Sequence, residues 1–380
     1  MSSNYPYPQQ DYTVLVRCFT FNHSKYIKNA LNGFVMQQTE FPFVCLVIDD
    51  ASTDGEQEVI KSWLECECDM AKANYIDIPT ANIIIAYHKT NKNCTIAIYL
   101  LKENLFRQRE KKIRHVTPWR KHCIYEAMCE GDDCWNNPLK LQKQVEYLNE
   151  HPDCVLVHTD FDTKNILTGK VKHAIWKHSK NYNQINKTWG NQLAGLIIEG
   201  RYSCLTLTCI VRLSALMKVE EEKARVTDKY LLMGDTNIWM LLSRQGEVHF
   251  IPEVTATYYI IAESATHSQD FNRVIHFYSS CIDMINIYAQ YLHIDAYGKR
   301  AIQTYIYFLL KDIYLDKTEY LPKIEEEVIR KETLSWYNNL LRDTLHKPSF
   351  MKRFILIFVK ATIKMKQNWD FTKAKYLGII

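Results

Sequence analysis

The sequence predicts an α/β fold built on a parallel sheet, with its ligand site beyond the carboxyl ends of the strands. Two observations predict it. Short β-branched and apolar runs alternate with segments of helical periodicity in the amino-terminal half, a pattern that gives parallel strands joined by right-handed crossovers. Acidic and amide residues directly follow each apparent strand, where open α/β sheets bind their ligands.

Tyr12–Val16 is β-branched and apolar and reads as a buried first strand. Phe19-Thr20-Phe21-Asn22-His23 reads as a loop, and Lys25–Met36 as a helix with Ile27, Leu31 and Val35 on one face. Phe43–Ile48 is a second buried strand ending abruptly in Asp49-Asp50-Ala51-Ser52-Thr53-Asp54-Gly55, with a helix predicted over Glu56–Leu64. Asp49 and Asp50 suit either a ligand contact or a turn, with Ser52 and Thr53 capping the helix. Residues 70–128 read as an insertion. Its basic residues (Lys102, Arg107, Arg109, Lys111, Lys112 and Arg114) and its Trp119-Arg120-Lys121 step predict solvated helix faces.

Cys129-Glu130-Gly131-Asp132-Asp133-Cys134-Trp135-Asn136-Asn137-Pro138 places three carboxylates within four residues, before a helix that Pro138 is expected to open. Like charges so close repel one another unless a cation sits among them. Hard oxygen ligands in that number suit Mg²⁺ or Mn²⁺, which grip one or two carboxylates and take substrate phosphate besides. The plainer alternative is an acidic loop that caps the next helix. Asn22, Asp50 and the 130–133 cluster each follow an apparent strand and are expected to converge on one sheet edge.

Composition narrows the classes. The length of 380 residues allows two domains or one large one, and 47% apolar with 24% charged residues suffices for a buried core. A net charge of +4 is too mild to argue for nucleic acid. Twelve cysteines lack zinc-ligand spacing: neither Cys66-x-Cys68 nor Cys129-x4-Cys134 has a matching His/Cys pair. The polar stretch Met1–Asp11 carries no apolar leader, so reduced thiols in a cytoplasmic protein are expected. The most apolar stretch, Phe354–Val359, is far below the ~20 residues a bilayer span needs. Neither GxGxxG nor GxxxxGK[ST] occurs, which disfavours dinucleotide and P-loop sites.

Val-Ile-Asp-Asp-Ala-Ser-Thr-Asp-Gly (47–55), Glu-Gly-Asp-Asp (130–133) and Leu-Lys-Leu-Gln-Lys-Gln-Val (139–145) stand in the order of family 2 glycosyltransferases. Over roughly residues 12–265 the chain resembles that family, most closely the bacterial subgroup that extends cell-surface polysaccharides. The resemblance implies a GT-A fold: a Rossmann-like, nucleotide-binding mixed sheet flanked by helices, here with a carboxyl-terminal helical extension. It implies a GT-A domain over residues 1–270, with a nucleotide-sugar half (about 12–160) and an acceptor half (about 160–270). It also implies a nucleotide-diphosphate sugar donor, UDP-sugar favoured, and a glycan or lipid-linked acceptor.

Residue by residue, the resemblance makes Asp50 the acceptor of the nucleobase ring N–H, with Phe19, Phe21 and Asn22 beside the nucleotide. Asp132 and Asp133 match the metal motif that holds Mn²⁺ or Mg²⁺ on the diphosphate, and Glu130 is placed for a ribose or metal contact. Asp235, in Gly234-Asp235-Thr236-Asn237-Ile238-Trp239, stands where the family has the base of an inverting transfer; the plainer reading makes it a helix cap. His267 falls in a loosely matching closing loop and is equally suited to diphosphate, to metal or to solvent. Arg201–Cys209 aligns with a strand bordering the acceptor site. The chain departs from the family in Cys18-Phe19-Thr20-Phe21-Asn22, in Cys134 where an aromatic is common, and in Tyr259 where Arg is usual.

Residues 276–345 predict two or three amphipathic helices. The segment 347–375 is basic, with Phe350, Phe354, Ile357, Phe358, Ile363 and Trp369 along one side. Such a helix either lies on the inner face of an anionic membrane or packs on the catalytic domain with a cationic outer face. Two rival functions stay open. A nucleotidyltransferase would carry a Gly-rich, Lys/Arg-bearing loop after the first strand, which is absent. A non-catalytic binding protein would tolerate loss of Asp50, Asp132, Asp133 and Asp235, all of which are present.

Overall fold

The computed structural model describes residues 10–108, 110–179, 182, 186, 189–202, 204–261, 270–316 and 323. The chain divides into two compact units. The first takes the described residues of Met1–Lys187, Cys204–Val219 and Gln245–Ile260; the second takes those of Thr188–Ser203, Glu220–Arg244 and Ile261–Ile380.

The first unit begins with β1 (Tyr12–Thr20), α1 (Ile27–Val35), β2 (Phe43–Asp49) and α2 (Glu56–Glu67). Then come β3 (Asn74–Ile78), β4 (Ala81–Tyr87), β5 (Cys94–Leu101), α3 (Ile113–Arg120), β6 (Cys123–Met128) and β7 (Cys134–Trp135). After α4 (Lys140–Glu150) follow β8 (Cys154–Asn165) and β9 (Val171–Lys172). In the second unit α5 (Gly190–Ile198) comes first. The chain returns to the first unit for β10 (Ile210–Arg212), and α6 (Leu213–Val226) runs from the first unit into the second. The second unit then has α7 (Gly234–Leu242), the first β11 (Glu247–Ile260), and the second α8 (Phe271–Tyr291) and α9 (Asp295–Asp316).

Among the described residues eleven strands lie in one mixed sheet of order β3-β4-β5-β2-β1-β6-β10-β8-β11-β7, with β9 paired to β8. Its centre, β5-β2-β1-β6, is parallel, and β8 and β11 form a second parallel pair. Alternate residues of the central strands feed two cores. Val14, Val16 and Cys18 pack with Ile27, Leu31 and Phe34 of α1, Ile60 of α2 and Leu141 of α4. Leu15, Leu46, Ile48 and Tyr99 pack with Val116 and Trp119 of α3. Each of these large apolar side chains contributes about 1.5–3 kcal/mol by leaving water.

The structure revises several local expectations. Strand β1 runs to Thr20, so Phe19 and Thr20 are strand and not loop. Residues 70–128 are no insertion: β5 is buried at all eight positions and pairs in parallel with β2, and β6 leads into the acidic loop. Helix α4 begins at Lys140 with Leu139 before it, so Pro138 lies outside its first turn. The 201–209 segment holds a 3₁₀ turn, Thr206–Thr208, and its strand starts only at Ile210. Of the expected carboxyl-terminal helices, α8 and α9 account for the described part. His267 and the basic segment 347–375 lie outside the described residues.

In the second unit α8 and α9 join through Leu292–Ile294, with His293 in the left-handed region (φ 55°). A Cβ at Gly298 would fall 2.5 Å from that of Ala289, so only glycine lets α9 start this close to α8. No helix among the described residues is long and apolar enough to cross a membrane. None of the twelve cysteines is in a disulfide.

Candidate functional site

Because β1 lies between β2 and β6, the segments after these three strands are neighbours at the carboxyl edge of the parallel centre. Asp50 donates its N–H to the Thr20 carbonyl (3.0 Å), and Gly131 donates to that of Phe19 (3.1 Å). Asn22 and Ala51 both take φ 58°, a conformation that Asn tolerates better than most residues. The two turns are tied together. The Asn22 Oδ1 accepts the Thr53 N–H (2.8 Å), and the Asn22 N–H donates to the Ser52 Oγ (2.8 Å). The expected convergence of Asn22, Asp50 and the acidic loop is therefore present in the geometry. Phe19 and Phe21 are half-buried at the same edge.

Asp50 is buried, and its carboxylate already serves the chain. It accepts the N–H groups of Leu105 (2.7 Å) and Phe106 (3.3 Å) and the Nζ of Lys112 (2.8 Å), while its carbonyl accepts the Asn104 Nδ2 (2.8 Å). The Lys112 ammonium also lies over the rings of Phe19 (5.5 Å) and Phe106 (5.9 Å). Asp50 thus organises the loop after β5. Nothing in the sequence singled out Lys112 from the other basic residues of its cluster.

The three acids of the 130–133 loop point to different partners. Glu130 accepts the Thr206 Oγ1 at 2.5 Å. Asp133 is buried and accepts the Tyr259 N–H at 3.0 Å. Burial, then the charges of Asp132 and Glu130, hold its carboxyl well above the usual carboxylate range. Asp132 is half-buried, with Oδ1 3.8 Å from the His23 Nδ1. Gly131 has no room for a side chain: a Cβ would meet the Thr20 Oγ1 at 2.0 Å. Behind the loop, Trp135 donates to the Leu207 carbonyl (2.8 Å) and packs edge-on against Phe34 (5.0 Å). The buried Lys140 ammonium lies 4.6 Å from the Trp135 ring.

Among the described residues no group of three or more His, Cys, Asp or Glu is arranged as a metal cage. The donor set still suits a divalent cation. Magnesium-type ions need only one or two carboxylates when phosphate completes the shell. Burial is the main cause of the raised Asp133 carboxyl; the charges of Asp132 and Glu130, which add to it, are what a cation would offset.

Glu56 went unnoticed in the sequence. Fully buried at the start of α2, it accepts the Thr20 hydroxyl, the Ser52 Oγ (2.8 Å) and the His23 N–H (2.8 Å). Burial pushes its carboxyl up, against those hydrogen bonds. Asp235 belongs to the second unit, in the first turn of α7 and half-buried; its Oδ1 accepts the N–H of Thr236 (2.8 Å). The cap position is Met233, and Trp239 and Leu242 face the core as expected.

No family model matches the chain. Over 135 residues it is 33% identical to uncharacterized proteins of Mycobacterium bovis and of Mycobacterium tuberculosis, a stretch covering 35% of this chain. The chain therefore spans about a third (31%) of the length of these curated relatives. Among solved structures it is similar to S. aureus TarS 1-349 in complex with UDP-GlcNAc. That likeness covers 94% of this chain and 92% of the other, at 14% identity and a TM-score of 0.50. Mannosyltransferase PcManGT from Pyrobaculum calidifontis, in complex with GDP-Man and Mn2+, is similar over 96% of this chain and 89% of that one, at 14% identity and a TM-score of 0.46. The likeness to TarS shows the fold: a mixed α/β sheet flanked by helices, of GT-A type.

Proposed function

We propose that the protein is a glycosyltransferase that moves a sugar from a nucleotide-diphosphate donor, a UDP-sugar by preference, to a glycan or lipid-linked glycan of a bacterial cell surface. One observation carries the reading. Three loops bearing Asn22, Asp50 and the Glu130–Asp133 acids adjoin at the carboxyl edge of a parallel sheet, where open α/β sheets take nucleotides. The fold shared with a protein solved with UDP-GlcNAc supports it.

In this reading Phe19, Phe21, Asn22 and Asp50 form the nucleotide end of the site, within a nucleotide-sugar half of about residues 12–160. Asp132 and Asp133 would hold Mn²⁺ or Mg²⁺, with Glu130 beside them. When bound, that ion supplies positive charge against the departing diphosphate. Asp235, in the acceptor half, takes the proton of the acceptor hydroxyl. The acceptor oxygen bonds to C1 of the sugar as the bond from C1 to the diphosphate oxygen breaks, and the configuration at C1 inverts. The basic segment 347–375 would bring the enzyme to the inner face of the membrane, where a lipid-linked acceptor lies.

Calorimetric titration with UDP, GDP and dTDP, in Mn²⁺ and then in EDTA, tests the reading. Metal-dependent binding of one nucleotide is expected. No binding to any of the three, with or without metal, overturns it in favour of a non-catalytic member of the fold.

A further inference from the structure

The hydrogen bonds around Thr20 fix more than a turn. Glu56 has three donors on two oxygens: the Thr20 hydroxyl on Oε1, and the Ser52 Oγ (2.8 Å) and His23 N–H (2.8 Å) on Oε2. Two hydroxyls and an N–H are the partners that suit a carboxylate in its ionised form. A hydroxyl has one proton, and the Thr20 proton is committed to Glu56. Toward the His23 Nδ1, 3.2 Å away, the Thr20 Oγ1 is therefore an acceptor. The imidazole must carry its proton on Nδ1, the same nitrogen that lies 3.8 Å from the Asp132 Oδ1. The Thr20 side chain is also the floor of the acidic loop, since Gly131 rests on its Oγ1 and Cβ.

We propose that Glu56, acting through the hydroxyl of Thr20, is a positioning residue for the acidic loop: it holds His23 as the Nδ1–H tautomer beside Asp132 and fixes the surface on which Gly131 is seated. The consequence for ligand binding rests on the nucleotide reading above; the tautomer does not. His23 thereby turns an N–H, and not a lone pair, toward an acid assigned to the nucleotide and its metal. A lone pair there would add to the negative charge the loop already concentrates.

The Glu56→Gln variant tests this without changing the shape of the site. The His23 N–H can only donate, so the amide oxygen of the glutamine must face it, which turns the amide NH₂ toward Thr20. Thr20 then accepts from the glutamine and gives its own proton to the His23 Nδ1, which moves the imidazole proton to Nε2. Nitrogen-15 NMR of the imidazoles at about pH 8, above the ordinary histidine range, with His23→Gln to assign the signal, reads the tautomer directly. Nδ1–H in the unaltered protein and Nε2–H in Glu56→Gln is the expected result. Nε2–H in the unaltered protein, or one tautomer in both, overturns the relay.

A second pair of variants separates positioning from mere support. Thr20→Ser keeps the hydroxyl and Thr20→Val keeps the shape. Titrated with UDP and Mn²⁺, Thr20→Val is expected to bind about 5- to 30-fold more weakly, the range that one or two kcal/mol sets, and Thr20→Ser close to the unaltered protein. Equal affinity in all three overturns the link to the loop. If the unaltered protein itself binds no nucleotide, the functional reading fails while the tautomer result stands or falls alone.

Discussion

Cys134 and Tyr259, two positions where the chain departs from the glycosyltransferase pattern, touch each other: the thiol donates to the phenol oxygen across 3.4 Å. The aromatic missing after Asp133 is supplied by the facing strand, where Arg is usual. Tyr259 also gives its N–H to Asp133, and its ring lies 6.1 Å from that of Tyr26. Together they place an aromatic ring against the acidic loop, and we read them as one exchange. Cys134→Tyr alone is expected to overpack this contact and cost about 1–3 kcal/mol. Cys134→Tyr with Tyr259→Arg should recover most of that loss. Urea melts of the single and double variants form the thermodynamic cycle, and simple additivity would show the exchange to be coincidental.

Removal of the Lys112 ammonium leaves Asp50 with two backbone N–H groups in a buried setting. Lys112→Met should destabilise by about 1–3 kcal/mol and loosen residues 104–112. Limited proteolysis with mapping of the first cut checks it; a cut elsewhere, at unchanged rate, would count against the anchoring role of the pair.

Lys140 gives a pH dependence. Its Nζ is buried, 2.6 Å from the Gln144 Oε1 and 3.4 Å from the Thr208 carbonyl, and burial pulls its pKa down to about 7. The unfolded chain keeps an ordinary lysine near ~10.4. Above pH 7 the folded state therefore binds fewer protons than the unfolded state, and this group's contribution to stability rises with pH. Between about pH 7 and 9 the unaltered protein should gain on Lys140→Met by up to about 1.4 kcal/mol per unit. Parallel urea melts at the two pH values measure the difference, and a gap that does not change with pH refutes the buried-amine account.

Asp235→Asn should lower transfer by about 10²–10⁴-fold and leave nucleotide affinity nearly intact. Asp133→Asn should instead weaken metal-dependent nucleotide binding. Its fold should hold, because asparagine keeps the shape of the side chain and an oxygen to accept the Tyr259 N–H. Initial rates and calorimetry on the two variants separate the roles.

The strand–helix alternation, the adjacency of Asn22, Asp50 and the acidic loop, and the core positions of Trp239 and Leu242 were all legible, because each shows in local periodicity or spacing. Strand β5 was legible too, in Ile96-Ala97-Ile98, but its basic flank drew the whole stretch into a solvated reading. Glu56 was not legible: an acid in the first turn of a helix is ordinarily a solvated partner of the helix dipole. Only the fold shows that the β1 end covers it. Lys112 was hidden for the opposite reason, as one cation among many until Asp50 selects it. Cys134 and Tyr259 looked like two losses because their contact crosses between strands far apart in sequence.

The division of the chain has a consequence for its synthesis. The sheet belongs to the first unit, yet the chain leaves that unit twice before β11 completes it. As the polypeptide emerges from the ribosome, β8 has its parallel partner only once Glu247–Ile260 has appeared, and β7 waits for the same strand. Until then the nascent sheet presents an open edge, the kind of surface that invites chaperones or other chains. Truncation after the acidic loop would remove β10, β8 and β11 and leave the long edge of β6 unpaired, so a shortened protein carrying every proposed nucleotide contact is expected to be insoluble.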